Sequence, residues 1–130
     1  METKNIISYE TFTISGHHMI ADIKEIENDV LLNDMNLLKE LLDKICSTYN
    51  YIILKKIEHQ FEPYGCTILY MLSESHISIH TFPEKKYIAF DIYTCRPQSD
   101  NSNYERIYKF LVEKLKAKYE TPTIIVRSFH

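Results

Sequence analysis

The sequence predicts an α+β domain in which a mainly antiparallel sheet carries two helices on one face. Three observations lead there. Four consecutive segments between residues 51 and 94 are rich in β-branched and aromatic residues, with turn signals between them. Two other segments repeat apolar residues at helical spacing. One further strand-like segment stands near each end, so the order reads β-α-β-β-β-β-α-β.

The elements follow in chain order. Phe12 to Ile23 reads as a strand, with Gly16 as a bulge within it. Leu37, Leu38, Leu41, Leu42 and Ile45 recur on one face of a helix over Asn33 to Tyr49. Tyr51 to Ile57 is a strand, and Pro63-Tyr64-Gly65 is a turn. Thr67 to Leu72, Ser75 to Thr81 and Tyr87 to Thr94 are strands, separated by Ser73-Glu74 and by Pro83-Glu84-Lys85-Lys86. Ser102 with Glu105 reads as a capping box. Behind it Tyr104, Ile107, Tyr108, Leu111 and Leu115 supply the second helical stripe, and Thr121 to Val126 closes the sheet. With both helices on one face, an apolar opposite face needs a partner, so dimerisation through it is expected.

At 130 residues the chain is a single domain, and 45% hydrophobic with 25% charged residues is ordinary globular composition. A net charge of −3 without a Lys/Arg run gives no nucleic-acid footprint. No apolar stretch approaches the roughly 20 residues that span a bilayer, and residues 1–9 lack the apolar core of a secretory signal. A cytoplasmic protein with no membrane partner is expected. Cys46, Cys66 and Cys95 form no CxxC pair, which leaves both a disulfide framework and a structural zinc site unsupported. Two glycines, Gly16 and Gly65, are too few for a dinucleotide fingerprint or a P-loop.

Reactive side chains concentrate in Ser73-Glu74-Ser75-His76-Ile77-Ser78-Ile79-His80-Thr81-Phe82-Pro83-Glu84. The residues alone leave several readings open. An ordinary alternating strand accounts for the pattern, with Ile77 and Ile79 on the apolar side. His76 and His80 would share a metal on a helix, but on a strand they stand roughly 13 Å apart, so no metal is expected from that pair. A Ser-His hydrolase lacks GxSxG and a third member. Ser75 and His80, five apart, also point to opposite faces of a regular strand, and only a bulge, bend or break lets them meet.

The same stretch resembles the processing site of the short, prokaryotic type of S-adenosylmethionine decarboxylase. The likeness continues through Tyr87-Ile88-Ala89-Phe90-Asp91-Ile92-Tyr93-Thr94-Cys95. It extends back to His59-Gln60-Phe61-Glu62-Pro63-Tyr64-Gly65 and Gly16-His17-His18, and spans roughly residues 13 to 128. The resemblance implies a proenzyme that cuts itself between Glu74 and Ser75 and turns Ser75 into a pyruvoyl cofactor. That group forms a Schiff base with the substrate's amine and accepts electrons as CO₂ leaves, the role pyridoxal phosphate plays elsewhere. It further implies His80 for proton transfer in processing and Cys95 as proton donor in decarboxylation. Phe61 and Phe82 would flank the adenine, Glu84 would accept from the ribose hydroxyls, and Thr67 keeps a hydroxyl where relatives often have Ser. His76 stands beside the cut.

Three positions depart from the family's pattern: Arg96 replaces the Gly after the Cys, Cys66 a small aliphatic, and His17 a common Arg. Arg96 is therefore expected to tune the Cys95 thiol or the pocket. The resemblance implies S-adenosylmethionine as substrate, a homodimer as the unit and spermidine synthesis as the setting. A pyruvoyl-dependent arginine or ornithine decarboxylase and an uncleaved regulatory homologue are the alternatives.

Overall fold

The computed structural model describes residues 15–73, 75–96 and 101–128. Glu74 and residues 12–14 of the first predicted strand lie outside the described residues. The elements are β1 (Ser15–Ile23), α1 (Asp29–Leu32), α2 (Met35–Thr48), β2 (Ile53–Gln60), β3 (Cys66–Leu72), β4 (Ser75–Phe82), β5 (Tyr87–Thr94), α3 (Ser102–Leu115) and β6 (Thr123–Ser128). A 3₁₀ turn, Pro83–Lys85, links β4 to β5. Six strands form one sheet in the order β2-β3-β4-β5-β1-β6, every neighbouring pair antiparallel. Among the described residues no helix is long and apolar enough to cross a membrane.

Register explains the two faces. Tyr70, Ile77, Ile92, Met19 and Ile124 are successive cross-strand partners and form one row. The first four of these are buried, and α2 and α3 pack on that face through Leu38, Leu42, Ile45, Ile107 and Leu111. The neighbouring row, Met71, His76, Tyr93, His18 and Ile125, points the other way because side chains alternate along each strand. Among the described residues no helix covers that second face. Ile20, Ile57, Leu69, Met71 and Ile125 stand exposed there, beside the polar His18, His76 and Asp91.

Polar ties hold the helices to the sheet. Tyr70, with its ring in the core, donates its hydroxyl to Asp43 of α2 at 2.6 Å, and Lys56 pairs with the same carboxylate at 2.9 Å. Burial alone would raise the Asp43 carboxyl, but the bonds from Tyr70 and Lys56 outweigh it and hold it below 3.8. Tyr104 of α3 donates to the His17 carbonyl at 2.6 Å. Tyr70→Phe is expected to cost about 1 kcal/mol at neutral pH, measured by urea unfolding. A carboxyl depressed in the folded state stabilises above its unfolded value and loses that contribution as pH falls through the folded one. The penalty of Tyr70→Phe therefore shrinks as pH falls below 3.8.

Three expectations are corrected. The four-residue α1, capped by the Asn28 side chain, has no counterpart in the periodicity because it is a single turn. The cap of α3 is Asn101, with Ser102 as the first helical residue, so the capping box does not form. Gly16 is not in a bulge, since β1 pairs with both neighbours without a register shift. It is small because Tyr93 lies over it: a Cβ there would fall 2.1 Å from the Tyr93 oxygen. Gly65 has a different reason, a φ of +97° in the β2–β3 turn that other residues rarely adopt.

Candidate active site

The site residues named from sequence fall into two groups at opposite ends of β4. Ser75 opens the strand, half-buried, with its hydroxyl 4.0 Å from the Cys95 sulfur just past the end of β5. Antiparallel pairing brings them together, because Ser75 lies opposite Thr94. On its other side, pairing of β4 with β3 begins only at His76, so β5 alone holds Ser75. The Cys95 thiol also donates to the Tyr93 hydroxyl at 3.6 Å. That bond, with burial, pushes the Tyr93 phenol above its ordinary value.

At the far end lies a cleft of about 370 Å³ lined by Phe61, Tyr64, Thr67, His80, Phe82 and Glu84. The β2–β3 turn supplies the first two, closed by the Phe61 N–H donating to the Gly65 carbonyl at 2.8 Å. The start of the 3₁₀ turn supplies Glu84. His80 Nδ1 is 3.0 Å from the Thr67 hydroxyl on the neighbouring strand, a pairing that orients the ring. Cys66 sits buried beneath, its N–H donating to the Thr81 hydroxyl at 2.8 Å, and burial pushes its thiol up. It fills the cleft wall.

The structure does not bring Ser75 and His80 together within one chain. Their strand keeps continuous register with β3 and β5, so the expected distortion is absent and the two side chains leave opposite faces. Five residues of strand separate them by about 16 Å. Arg96 also departs from expectation. Its guanidinium donates to the Tyr49 and Asn50 carbonyls and stacks on Tyr51 at 4.7 Å, so it ties the segment after Cys95 to the end of α2. His17 points to the helix side, with Nδ1 3.0 Å from the Asn101 side-chain oxygen.

Sequence reasoning missed Tyr64 and Tyr93. Tyr93 was legible as the residue two before Cys95, on the same side of an alternating strand. Tyr64 lay inside a turn signal and was read as punctuation.

Comparison with known proteins gives first the class. A solved adenosylmethionine decarboxylase from Aquifex aeolicus matches with a TM-score of 0.77 at 28% identity, covering 91% of this chain and 94% of that one. The architecture is thus the α+β sandwich of such a carboxy-lyase. The family model for S-adenosylmethionine decarboxylase matches residues 17–128. A Bacillus cereus S-adenosylmethionine decarboxylase proenzyme 2 is 40% identical over 68% of this chain and 69% of its own length. The Pyrococcus horikoshii S-adenosylmethionine decarboxylase proenzyme is 33% identical over 80% of this chain and 72% of its own. The chain belongs to the S-adenosylmethionine decarboxylase family.

Proposed function

We propose that this chain is a self-processing, pyruvoyl-dependent decarboxylase of S-adenosylmethionine. The observation that carries the reading is the contact of Ser75 with Cys95, two reactive groups 20 residues apart in sequence. In processing, the Ser75 hydroxyl adds to the Glu74 carbonyl and the peptide C–N bond gives way to an ester. Elimination breaks the ester's O–Cβ bond, freeing the Glu74 carboxylate and leaving residue 75 as a dehydroalanine. Water enters, ammonia leaves, and a pyruvoyl group heads the second chain. Ser75 suits that fate: it stands at a strand end, held on one side only, beside a thiol.

Once formed, the group supplies an electrophilic carbonyl and an electron sink that no standard side chain offers. The protein's own residues do the rest. Cys95 delivers a proton to the carbon that has lost CO₂, with Tyr93 orienting its sulfur. Phe61, Tyr64 and Phe82 offer rings to an adenine and a sulfonium charge, and Glu84 accepts from ribose hydroxyls. Arginine or ornithine would leave those rings unused.

The 16 Å between the two groups is bridged by a second copy. A two-fold axis lying across the strands, with the bare apolar faces together, sets one chain's Ser75 end against the other's cleft. His80 of one protomer then serves the Ser75 end of its partner, where the first residue of β4, held on one side only, turns at the strand end toward the shared face. Proton transfer in processing by His80, its Nδ1 held on Thr67, becomes possible without bending β4.

Intact-mass spectrometry of the purified protein tests the reading, with CO₂ release measured from S-adenosylmethionine, arginine and ornithine. We expect two fragments, the second beginning with a group captured by a carbonyl-trapping reagent, and release from S-adenosylmethionine. One persistent species of 15.5 kDa, or release only from arginine or ornithine, overturns it.

A further inference from the structure

On the uncovered face three side chains from three adjacent strands converge. His18 of β1 and His76 of β4 are both cross-strand partners of Tyr93, one on each side of it. Both rings lean toward Asp91, two residues earlier on β5. His18 Nε2 is 2.7 Å from Asp91 Oδ2 and His76 Nε2 is 3.3 Å from the same oxygen. The imidazole rings stand edge to face with centroids 6.1 Å apart. We propose that His18, His76 and Asp91 form a binding site for a divalent first-row transition-metal ion of the zinc type.

Four features support it. The three ligand atoms lie within 4.8 Å of one another. Tetrahedral ligands of zinc stand about 3.4 Å apart, so the widest pair must close by about 1.4 Å at most, which side-chain rotation supplies. The backbone is already committed, since ladder hydrogen bonds fix the register of all three positions. The chemistry matches too: two imidazoles and one carboxylate suit zinc, iron and cobalt, where an all-oxygen set would suit magnesium. A neutral imidazole can carry its proton on Nδ1 and turn the Nε2 lone pair inward.

The outer partner is also present. Ser78, the cross-strand partner of Asp91, donates its hydroxyl to Asp91 Oδ1, which leaves Oδ2 for the ion. Burial alone would raise the Asp91 carboxyl, but the bonds from Ser78, His18 and His76 hold it below its ordinary value. Two hollows, of about 290 and 570 Å³, share Ser78, His80 and Asp91, one containing His18 and the other His76. This site is not the His76–His80 pair weighed from sequence. His80 borders it but turns its Nδ1 to the Thr67 hydroxyl at 3.0 Å, toward the cleft.

The test titrates chelator-treated, full-length protein with Co²⁺, read by its visible absorption, and then displaces it with Zn²⁺. One Co²⁺ per chain is expected. His18→Ala and His76→Ala should each weaken binding by about 100-fold, and Ser78→Ala, which keeps all three ligands, by about tenfold. His59→Gln, beyond the site on β2, should leave binding unchanged. Circular dichroism of each apo variant separates ligand loss from unfolding, and Ser78→Ala remains decisive if a histidine variant fails to fold. Absence of saturable binding, or equal affinity in the His18, His76 and Ser78 variants, overturns the proposal. Neither outcome depends on self-cleavage or decarboxylation.

Discussion

Ser75→Ala is expected to remain one uncut species of 15.5 kDa under every condition in which the parent chain divides, with no carbonyl to trap and no CO₂ released. The loss is complete because one atom does both jobs. The Ser75 oxygen is the nucleophile that converts the amide to an ester, and its loss by elimination creates the unsaturation from which the carbonyl arises. Alanine has neither the oxygen nor a leaving group. The fold should be undisturbed: Ser75 is half-buried at the first position of β4, with its hydroxyl 4.0 Å from the Cys95 sulfur. Thermal unfolding of the variant should therefore match that of the uncut parent. Cleavage persisting in Ser75→Ala would refute the assignment of the bond.

The second large effect is a rescue. Alone, His80→Ala should process slowly or not at all, because the imidazole that moves the proton is gone. Co-expressed with Ser75→Ala, the His80→Ala chain should be cut, because its intact Ser75 meets the intact His80 of the other protomer. The Ser75→Ala chain stays whole in the same mixture. Mass spectrometry resolves the two, since each carries its own substitution. A site contained within one chain predicts no rescue, and an uncut His80→Ala chain in the mixed sample rejects the shared site. This experiment isolates the two-fold arrangement from the chemistry. The arrangement was reached from geometry: β4 is too regular to turn Ser75 and His80 toward each other, and about 16 Å is too far to reach.

Much of the fold was legible locally. The leucine spacing of α2 and the stripe of α3 are periods of a single element, which need no knowledge of neighbours. The alternation in β4 likewise marked Ile77 and Ile79 as inward residues. Errors came where local rules compete. Asn101 and Ser102 are both good cap residues, and only the path of the chain into α3 chooses between them. Gly16 looked like a bulge because a strand glycine has two common causes, and the one operating here, the Tyr93 ring, sits on another strand.

The candidate site divides along the same line. The sequence by itself determined the reactive cast, the family motif around Glu74 and Ser75, and the alternation that sets Ser75 and His80 on opposite faces. Only the tertiary structure decided the groupings. Cross-strand register put Cys95 beside Ser75, gathered Phe61, Thr67, His80, Phe82 and Glu84 into one cleft, and turned Arg96 toward the end of α2. It also brought His18 and His76 to Asp91 across gaps of 73 and 15 residues. The physical reason is that a strand's own pattern states which face a side chain takes, whereas its neighbours on that face depend on strand order and register. Those come from burying one face of six strands under two long helices, a condition on the whole chain.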